Sequence, residues 1–280
     1  MKRFSGVLIC MLAALSALAS GDTATMHIAR GESRLAARDF DGAILEFHQA
    51  ARLDPANSKE HFDLGLALKA SGDLDAAISE YQEAIRLEPG LAEAHANIGS
   101  ILQMKGQLDR AVSEYRNAIR LEPRLAVAHA DLGSALRVKR DLEESSSELR
   151  TALRLNPGLA EAHRDLGFVL ALKKDMEGAI LELREAVRLK PNLLEAHLGL
   201  GNALQAKGNL EDAIGEYREA VRLNPQDAIA HSDLASALFM KGKKSEAEKE
   251  LAEAESLDPR IKRRPHLARP LPPQAAVPVQ

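Results

Sequence analysis

The sequence predicts an all-α fold in which antiparallel helix hairpins of one size stack into a solenoid. A proline recurs every 34 residues, and a histidine keeps the same spacing. A fixed period between about 20 and 50 residues is typical of stacked repeats rather than of one globular core. The prolines are Pro55, Pro89, Pro123, Pro157, Pro191, Pro225 and Pro259, and the histidines are His27, His61, His95, His129, His163, His197 and His231.

The helices follow from the spacing of apolar residues within each unit. In the third unit, Ala94, Ile98 and Leu102 lie on one stripe of an amphipathic helix. Residues 108–119 then show a second helical stripe, so each unit is a pair of helices. We expect seven units, at residues 24–57, 58–91, 92–125, 126–159, 160–193, 194–227 and 228–261.

Glycines and short polar residues predict where each hairpin turns. Gly106 follows the first helix of the third unit, at a position where a left-handed backbone costs glycine least; Gly72, Gly208 and Gly242 are its equivalents. The N-cap of the second helix then falls to Asp39, Asp73, Asp141, Asp175 and Asn209. The recurring proline closes that helix, because a residue before proline is pushed out of the helical region.

A glycine also recurs in the middle of the first helix in each of the first six units. Glycine there costs about 1 kcal/mol relative to alanine, so six of them indicate a requirement for space. We predict that the second helix of each hairpin packs closely against this site. The glycines are Gly31, Gly65, Gly99, Gly133, Gly167 and Gly201.

Three motif elements recur with the repeat: a Leu-Gly pair, an Ala–aromatic–Ala spacing and the closing proline. The second unit shows them in Leu64-Gly65, in Ala77, Tyr81 and Ala84, and in Pro89. Together they resemble the tetratricopeptide repeat family over residues 24–261, with histidine where the family usually has Trp or another aromatic. The resemblance implies a right-handed superhelical solenoid whose first helices line a concave groove for proteins or peptides.

Both ends of the chain differ in composition from the repeats. Residues 1–19 begin with Lys2 and Arg3, continue as an apolar run and end in a small-x-small pattern, which is typical of a cleaved signal peptide. The run is shorter than the about 20 residues that span a bilayer, although an uncleaved membrane anchor stays an alternative. Cys10, the one cysteine, lies in this segment. Residues 262–280 are basic and proline-rich, and we expect them to be disordered.

The charge of the repeats excludes one class of partner. Residues 20–261 hold 41 acidic and 31 basic residues, a net charge of −10. A nucleic-acid partner requires a basic face, so none is expected. We expect no membrane insertion of the mature chain either.

Terminal repeats should carry polar outer faces. Arg30 and Arg34 replace leucines in the first unit, and Lys244, Glu248 and Glu255 replace aliphatic residues in the seventh. We expect these side chains to face solvent. In the fourth unit, serines 145 and 146 replace Ala and Ile or Val, and we therefore predict that the boundary between the fourth and fifth units opens first.

No catalytic or metal-binding constellation is evident. Equivalent histidines of adjacent units lie about 8–10 Å apart or more, too far to share a zinc ion with bonds of about 2 Å. We interpret them as replacements for half-buried aromatics. His163-Arg164-Asp165 resembles a kinase catalytic loop, but the expected Asn is Leu170. We expect no cofactor, and the sequence predicts a protein that is not an enzyme.

The polar and variable positions of the first helices are the candidate binding site. In related repeats this face lines the groove, and short carboxylates beside amides and apolar groups suit an extended peptide. A solvated surface is the alternative. The family's clamp for acidic peptides needs a basic set, whereas Lys59 and Arg164 are isolated. The candidate residues are Phe62, Asp63, Lys69, Asn97, Gln103, Asp131, Arg137, Arg164, Asp165, Phe168, Leu198, Asn202, Gln205 and Asp233.

These observations predict an exported, non-catalytic scaffold that binds a protein or extended peptide in its groove. The expected location is the periplasm or the exterior, with an inner-membrane anchored form as the alternative. A second functional hypothesis is an accessory or regulatory subunit of an envelope enzyme or of a secretion or assembly complex, which contacts its partner through the outer face and the tail.

Overall fold

A computed structural model describes residues 23–261 of the protein, and every helix or strand assigned in that range is an α-helix. The predicted signal peptide, residues 1–19, and the predicted tail, residues 262–280, lie outside the described residues. The helices are α1 (Ala24–Ala36), α2 (Phe40–Leu53), α3 (Ser58–Ser71), α4 (Leu74–Leu87), α5 (Ala92–Met104), α6 (Leu108–Leu121), α7 (Ala126–Lys139), α8 (Leu142–Leu155), α9 (Ala160–Leu172), α10 (Met176–Leu189), α11 (Leu194–Ala206), α12 (Leu210–Leu223), α13 (Ala228–Met240) and α14 (Lys244–Leu257).

The helices pair in sequence order into hairpins, from α1–α2 to α13–α14, which confirms the predicted all-α array. Four turns place glycine in the left-handed region, as predicted, with φ between 72° at Gly106 and 94° at Gly72. Three repeats without a turn glycine have a basic residue in the same left-handed backbone conformation: Arg38, Arg140 and Lys174.

All five predicted residues occupy the N-cap position of a second helix, and four of them cap it with a side-chain hydrogen bond. Asp39, for example, accepts a hydrogen bond from the Gly42 amide at 3.0 Å, and Asp73, Asp175 and Asn209 cap in the same way. Asp141 also occupies the N-cap position, of α8, but its side chain makes no capping hydrogen bond.

The mid-helix glycines receive a large side chain from the second helix, as predicted. A β-carbon on Gly65 would lie 2.7 Å from the Tyr81 ring, and Tyr81 itself is fully buried. No residue but glycine fits without displacing the ring. The equivalent pairs are Gly31–Phe47, Gly99–Tyr115, Gly133–Leu149, Gly167–Leu183 and Gly201–Tyr217.

The chain divides into two compact units between residues 123 and 124. The first contains α1–α6, where Phe47 packs with Leu64 of the following repeat. The second contains α7–α14, where one apolar cluster runs through successive repeats. In that cluster a second-helix side chain packs with the first helix of the next repeat, as in the pairs Leu149–Leu166, Leu183–Leu200 and Tyr217–Leu234.

The terminal repeats carry exposed polar side chains at their substituted positions. Arg30 and Arg34 are exposed on α1, and Lys244 and Glu248 are exposed on α14, whereas Glu255 is half-buried. Among residues 23–261, no helix has the length and apolar character needed to cross a bilayer.

The serines of the fourth repeat are buried within the second unit. Ser145 is fully buried and donates its hydroxyl to the Gly133 carbonyl at 2.6 Å. Ser146 is 2% exposed, and its hydroxyl has no hydrogen-bond partner among the described residues. An aliphatic side chain fills that position in most other repeats, so the fourth repeat gives its neighbour less apolar contact.

Candidate functional site

The candidate residues lie on the first helices of the hairpins, on a face that we term the groove face. It comprises Phe62, Asp63, Lys69, Asn97, Gln103, Asp131, Arg137, Arg164, Asp165, Phe168, Leu198, Asn202, Gln205 and Asp233, together with the serines Ser100, Ser134 and Ser236 at equivalent positions. Each compact unit carries its own part of this face.

In the first unit, hydrogen bonds link the groove face of adjacent repeats. The Lys69 ammonium donates to the Asn97 side-chain oxygen and to the Ser100 hydroxyl, both at 3.1 Å. Asp63 accepts from Lys59 on the same helix at 2.6 Å. Burial raises the pKa of the Asp63 carboxyl, and the Lys59 charge opposes that shift without cancelling it.

Aromatic side chains contact residues of the groove face. The Phe62 ring lies 5.5 Å from the Tyr81 ring, centroid to centroid, in a tilted arrangement. In the next repeat, the Tyr115 hydroxyl donates to the Gln103 side-chain oxygen at 3.1 Å. The amide hydrogens of Gln103 are thereby turned away from the tyrosine.

In the second unit, a buried carboxylate joins two arginines. Asp165 is 3% exposed and accepts from Arg164 at 2.9 Å, while the Arg137 guanidinium of the preceding repeat lies 3.6 Å away. The same Arg137 group stands 5.4 Å from the centre of the Phe168 ring. A cation over an aromatic face is electrostatically favourable, so these four residues form one connected cluster.

A second connected cluster lies on the sixth repeat. The Tyr217 hydroxyl points at the side-chain oxygens of Asn202 and Gln205, at 2.7 and 3.0 Å. The Gln205 amide then donates to Ser236 of the seventh repeat at 3.4 Å. Leu198 is half-buried and packs against the apolar cluster of this unit.

Two aspartates remain, Asp131 on α7 and Asp233 on α13, and both are half-buried. Burial raises the pKa of Asp233 to about 7, and the charge of Asp227 adds to this shift. Unlike Asp63 and Asp165, Asp233 meets no cation and accepts no hydrogen bond among the described residues.

Each repeat also contains a histidine–glutamate pair that the sequence analysis did not identify. The imidazole Nδ1 of the first helix lies 2.5–2.7 Å from a glutamate oxygen of the second helix, always 19 residues later. The signal was present, since glutamate shares the 34-residue period. The pairs are His27–Glu46, His61–Glu80, His95–Glu114, His129–Glu148, His163–Glu182, His197–Glu216 and His231–Glu250.

In the fifth, sixth and seventh repeats the second imidazole nitrogen also lies near an acceptor. The Nε2 atoms of His163, His197 and His231 lie 2.9–3.1 Å from the carbonyl oxygen of the preceding repeat's proline. Only the doubly protonated imidazolium donates to both partners. Burial disfavours the charge of His163 and His197, but the glutamate and proline hydrogen bonds outweigh it and raise the pKa of both.

The histidines therefore join the two helices of a hairpin and contact the preceding repeat. Their interpretation as half-buried replacements for aromatics agrees with their side-chain exposures of 6–17%. Within residues 23–261, no three His, Cys, Asp or Glu side chains are grouped to hold a metal ion.

Comparison with known families agrees with this architecture. A model described as TPR repeat matches residues 65–106, 170–208 and 201–242, and one described as tetratricopeptide repeat matches residues 92–125. The chain belongs to the tetratricopeptide repeat (TPR) family. Its fourteen described helices correspond to about seven repeats. A sequence search of curated proteins found no match.

Several solved structures are similar to the chain. YrrB, described as a TPR protein with an unusual peptide-binding site, is 25% identical to this chain with a TM-score of 0.54, and the match covers 65% of this chain and 93% of YrrB. TTC0263 of Thermus thermophilus is 26% identical with a TM-score of 0.53, covering 65% and 99%. Pseudomonas aeruginosa PilF is 22% identical with a TM-score of 0.66, covering 74% and 93%, and it supports the fold alone.

Proposed function

We propose that this TPR protein is an exported, non-catalytic scaffold that binds a protein or an extended peptide on its groove face. The observation that carries the proposal is the connected polar network of that face. Lys69–Asn97 and Arg137–Asp165 each join neighbouring repeats. Side chains fixed before binding lose less conformational entropy when a ligand arrives, so the face is ordered in advance.

The chemistry of the face suits a peptide. Amide and hydroxyl groups, such as those of Asn97, Asn202 and Ser236, match the donors and acceptors of a peptide backbone. Half-buried Phe62 and Phe168 supply apolar area beside them. YrrB, a similar TPR protein, is described as having a peptide-binding site, which supports the same class of ligand.

A non-catalytic role is supported by the way the charged groups are used. Asp165 is held by Arg164 and Arg137, and the histidines are held by glutamates, so these groups complete internal contacts. Export is supported by the composition of residues 1–19, with a basic start followed by an apolar run. The second candidate function, an accessory or assembly subunit bound through the outer face and the tail, is supported by the basic residues of 262–280.

A matched pair of serine variants tests the groove face. Ser134 lies half-buried on α7, and Ser147 is exposed on α8 of the same repeat. Peptides are first selected on the full protein from a displayed library of short random sequences. We expect Ser134→Arg to abolish binding of the selected peptides and Ser147→Arg to leave it unchanged, with helix content confirmed by circular dichroism. The reverse pattern would assign binding to the outer face.

Export has its own test. The full chain is expressed in a bacterium with a secretion system, and the N-terminus of the recovered protein is sequenced. We expect a soluble periplasmic or extracellular form that starts at Ser20. An intact Met1 in the membrane fraction would support the anchored alternative, and an intact Met1 in the cytoplasm would contradict export.

A further inference from the structure

Asp233 differs from the other aspartates at its position in the repeat. Asp63 is paired with Lys59, and Asp165 is paired with two arginines. Asp233 has no hydrogen bond or ion pair within residues 23–261. A half-buried carboxylate without a partner loses hydration and gains nothing in exchange. The free protein therefore carries an unfavourable group at this point of the groove face.

Among the described residues, no cationic side chain pairs with Asp233. Asp227 is a second acid, and its side chain is occupied by capping α13 through the amides of Ile229 and Ala230. The Tyr217 hydroxyl is directed at Asn202 and Gln205. The negative charge at Asp233 is thus left for a group that comes from elsewhere.

Exposed apolar side chains flank Asp233 along the same helix. Ile229 and Met240 are 46% and 45% exposed, and they stand four residues before and seven residues after Asp233, so all three lie on one face of α13. A helix rises about 1.5 Å per residue, which sets Ile229 about 6 Å and Met240 about 10 Å from Asp233 along the axis. Two residues of an extended peptide cover about 7 Å, so alternate side chains of a peptide match the spacing from Asp233 to Ile229, and Met240 lies farther along the same face.

We propose that Asp233, with Ile229 and Met240, forms a subsite that binds a lysine or arginine flanked by apolar side chains in a peptide of a partner protein. This inference rests on the proposed function and names the ligand chemistry of the same face. Charge complementarity supports it, because residues 20–261 carry a net charge of −10. A cationic side chain would replace the lost hydration of the carboxylate with a charge-assisted hydrogen bond.

The test uses the full protein and three short synthetic peptides, acetylated and amidated so that lysine carries the only charge. Their cores are Leu-Ala-Lys-Ala-Leu, Leu-Ala-Gln-Ala-Leu and Ala-Ala-Lys-Ala-Ala, and affinities are measured by fluorescence anisotropy at neutral pH. We expect the first peptide to bind about tenfold more tightly than either of the others. Equal affinity of the lysine and glutamine peptides would overturn the proposal.

Variants of the seventh repeat assign the preference to one residue. Asp233→Asn should remove the preference for lysine, while Glu253→Gln, an exposed carboxylate on α14, should retain it. Asp233→Asn should also raise the melting temperature of the free protein, since it removes an unpaired carboxylate; a merely structural aspartate would lower it. A lysine preference that persists in Asp233→Asn would overturn the proposal.

Two further outcomes separate this inference from its alternatives. Replacing Lys262, Arg263, Arg264 and Arg269 with glutamine should leave the affinities unchanged; a tenfold gain would assign the subsite to the chain's own C-terminal segment and overturn the proposal. If selected peptides bind through the face marked by Ser134 but show no preference at Asp233, the subsite is wrong and the proposed function stands. If Ser134→Arg has no effect on any peptide, the proposed function fails first.

Discussion

Glu60 is a buried acid at a position that alanine fills in five other repeats. It is 1% exposed, and its Oε2 atom has no hydrogen-bond partner among the described residues. Burial raises the pKa of Glu60 to about 7, and the charge of Asp54 adds to the shift. The equivalent alanines are Ala94, Ala128, Ala162, Ala196 and Ala230, each at most 2% exposed.

We predict that Glu60→Ala stabilises the protein by about 1–3 kcal/mol at neutral pH, because it removes an unsatisfied buried group. The folded-state pKa is above the unfolded value of about 4.5, so the carboxyl destabilises the fold as pH rises from 4.5 to 7. The part of the gain that comes from ionisation of the carboxyl should therefore shrink on acidification and be lost below about pH 4.5. Urea unfolding at several pH values measures both effects.

An exposed glutamate in the next repeat provides the control. Glu93 lies in the first turn of α5 and is exposed, so Glu93→Ala should change the free energy of unfolding by less than about 1 kcal/mol. A destabilised Glu60→Ala protein would show that this carboxyl supports the fold.

At the scale of the element, the hairpin depends on two contacts between its helices. A ring or leucine fills the space over a mid-helix glycine, and a histidine meets a glutamate. Sequence reasoning predicted the first contact, because a repeated glycine inside a helix requires a steric explanation. It missed the second: the 34-residue period shows that a glutamate recurs, but not that it lies within hydrogen-bond distance of His61 or its equivalents.

The histidine contacts predict a pH dependence of stability. The folded-state pKa of His163 and His197 is above the unfolded value, so their contribution is complete below about pH 6.5 and is lost as pH rises through the folded-state pKa. Glu182 and Glu185 face the first histidine, and Glu216 and Glu219 face the second. The double replacement of these histidines by glutamine should flatten the fall in the urea midpoint that occurs as pH rises above about 6.5.

The comparison with wild type separates the effect of the two histidines on stability from that of other groups that titrate in the same pH range, such as Glu60 and Asp233. His48→Gln is the control, since His48 is exposed on α2 and belongs to no histidine–glutamate pair. An unchanged slope in the double variant would show that the imidazole contacts add no stability.

The candidate site could be predicted only in outline. The positions of the groove face follow from the helical period, which places Asp63 and Asp165 at equivalent points. Their partners do not follow from it: Lys59 comes from the same helix, whereas Arg137 comes from the preceding repeat. Pairing depends on side-chain reach between repeats, so the sequence alone could not separate these paired aspartates from the unpaired Asp233.

At the scale of the molecule, the repeats are alike but not equally stable. The fourth repeat has Ser146 where most other repeats have an aliphatic residue, and the buried Ser146 hydroxyl has no hydrogen-bond partner among residues 23–261. We predict that the amides of α8 and α9 exchange through a lower opening free energy than those of α11 and α12. Native-state hydrogen exchange measures this, and uniform protection from the third to the sixth repeat would contradict it.

A matched pair of variants assigns the weakness to one side chain. Ser146→Val restores the residue type of Val112 and should raise the opening free energy of the fourth repeat by about 1–3 kcal/mol. Ser147→Val changes an exposed neighbour and should have little effect. Equal changes in the two variants would show that the buried position is not the cause.

The central claim is that the first helices hold a peptide. Its most direct measurement is photo-crosslinking of the Leu-Ala-Lys-Ala-Leu peptide, with a photoreactive group beside the lysine, followed by sequencing of the attached fragments. We predict attachment to the first helices of the second unit, above all to α13 near Asp233. Attachment confined to the second helices of that unit, α8, α10, α12 and α14, would contradict the account.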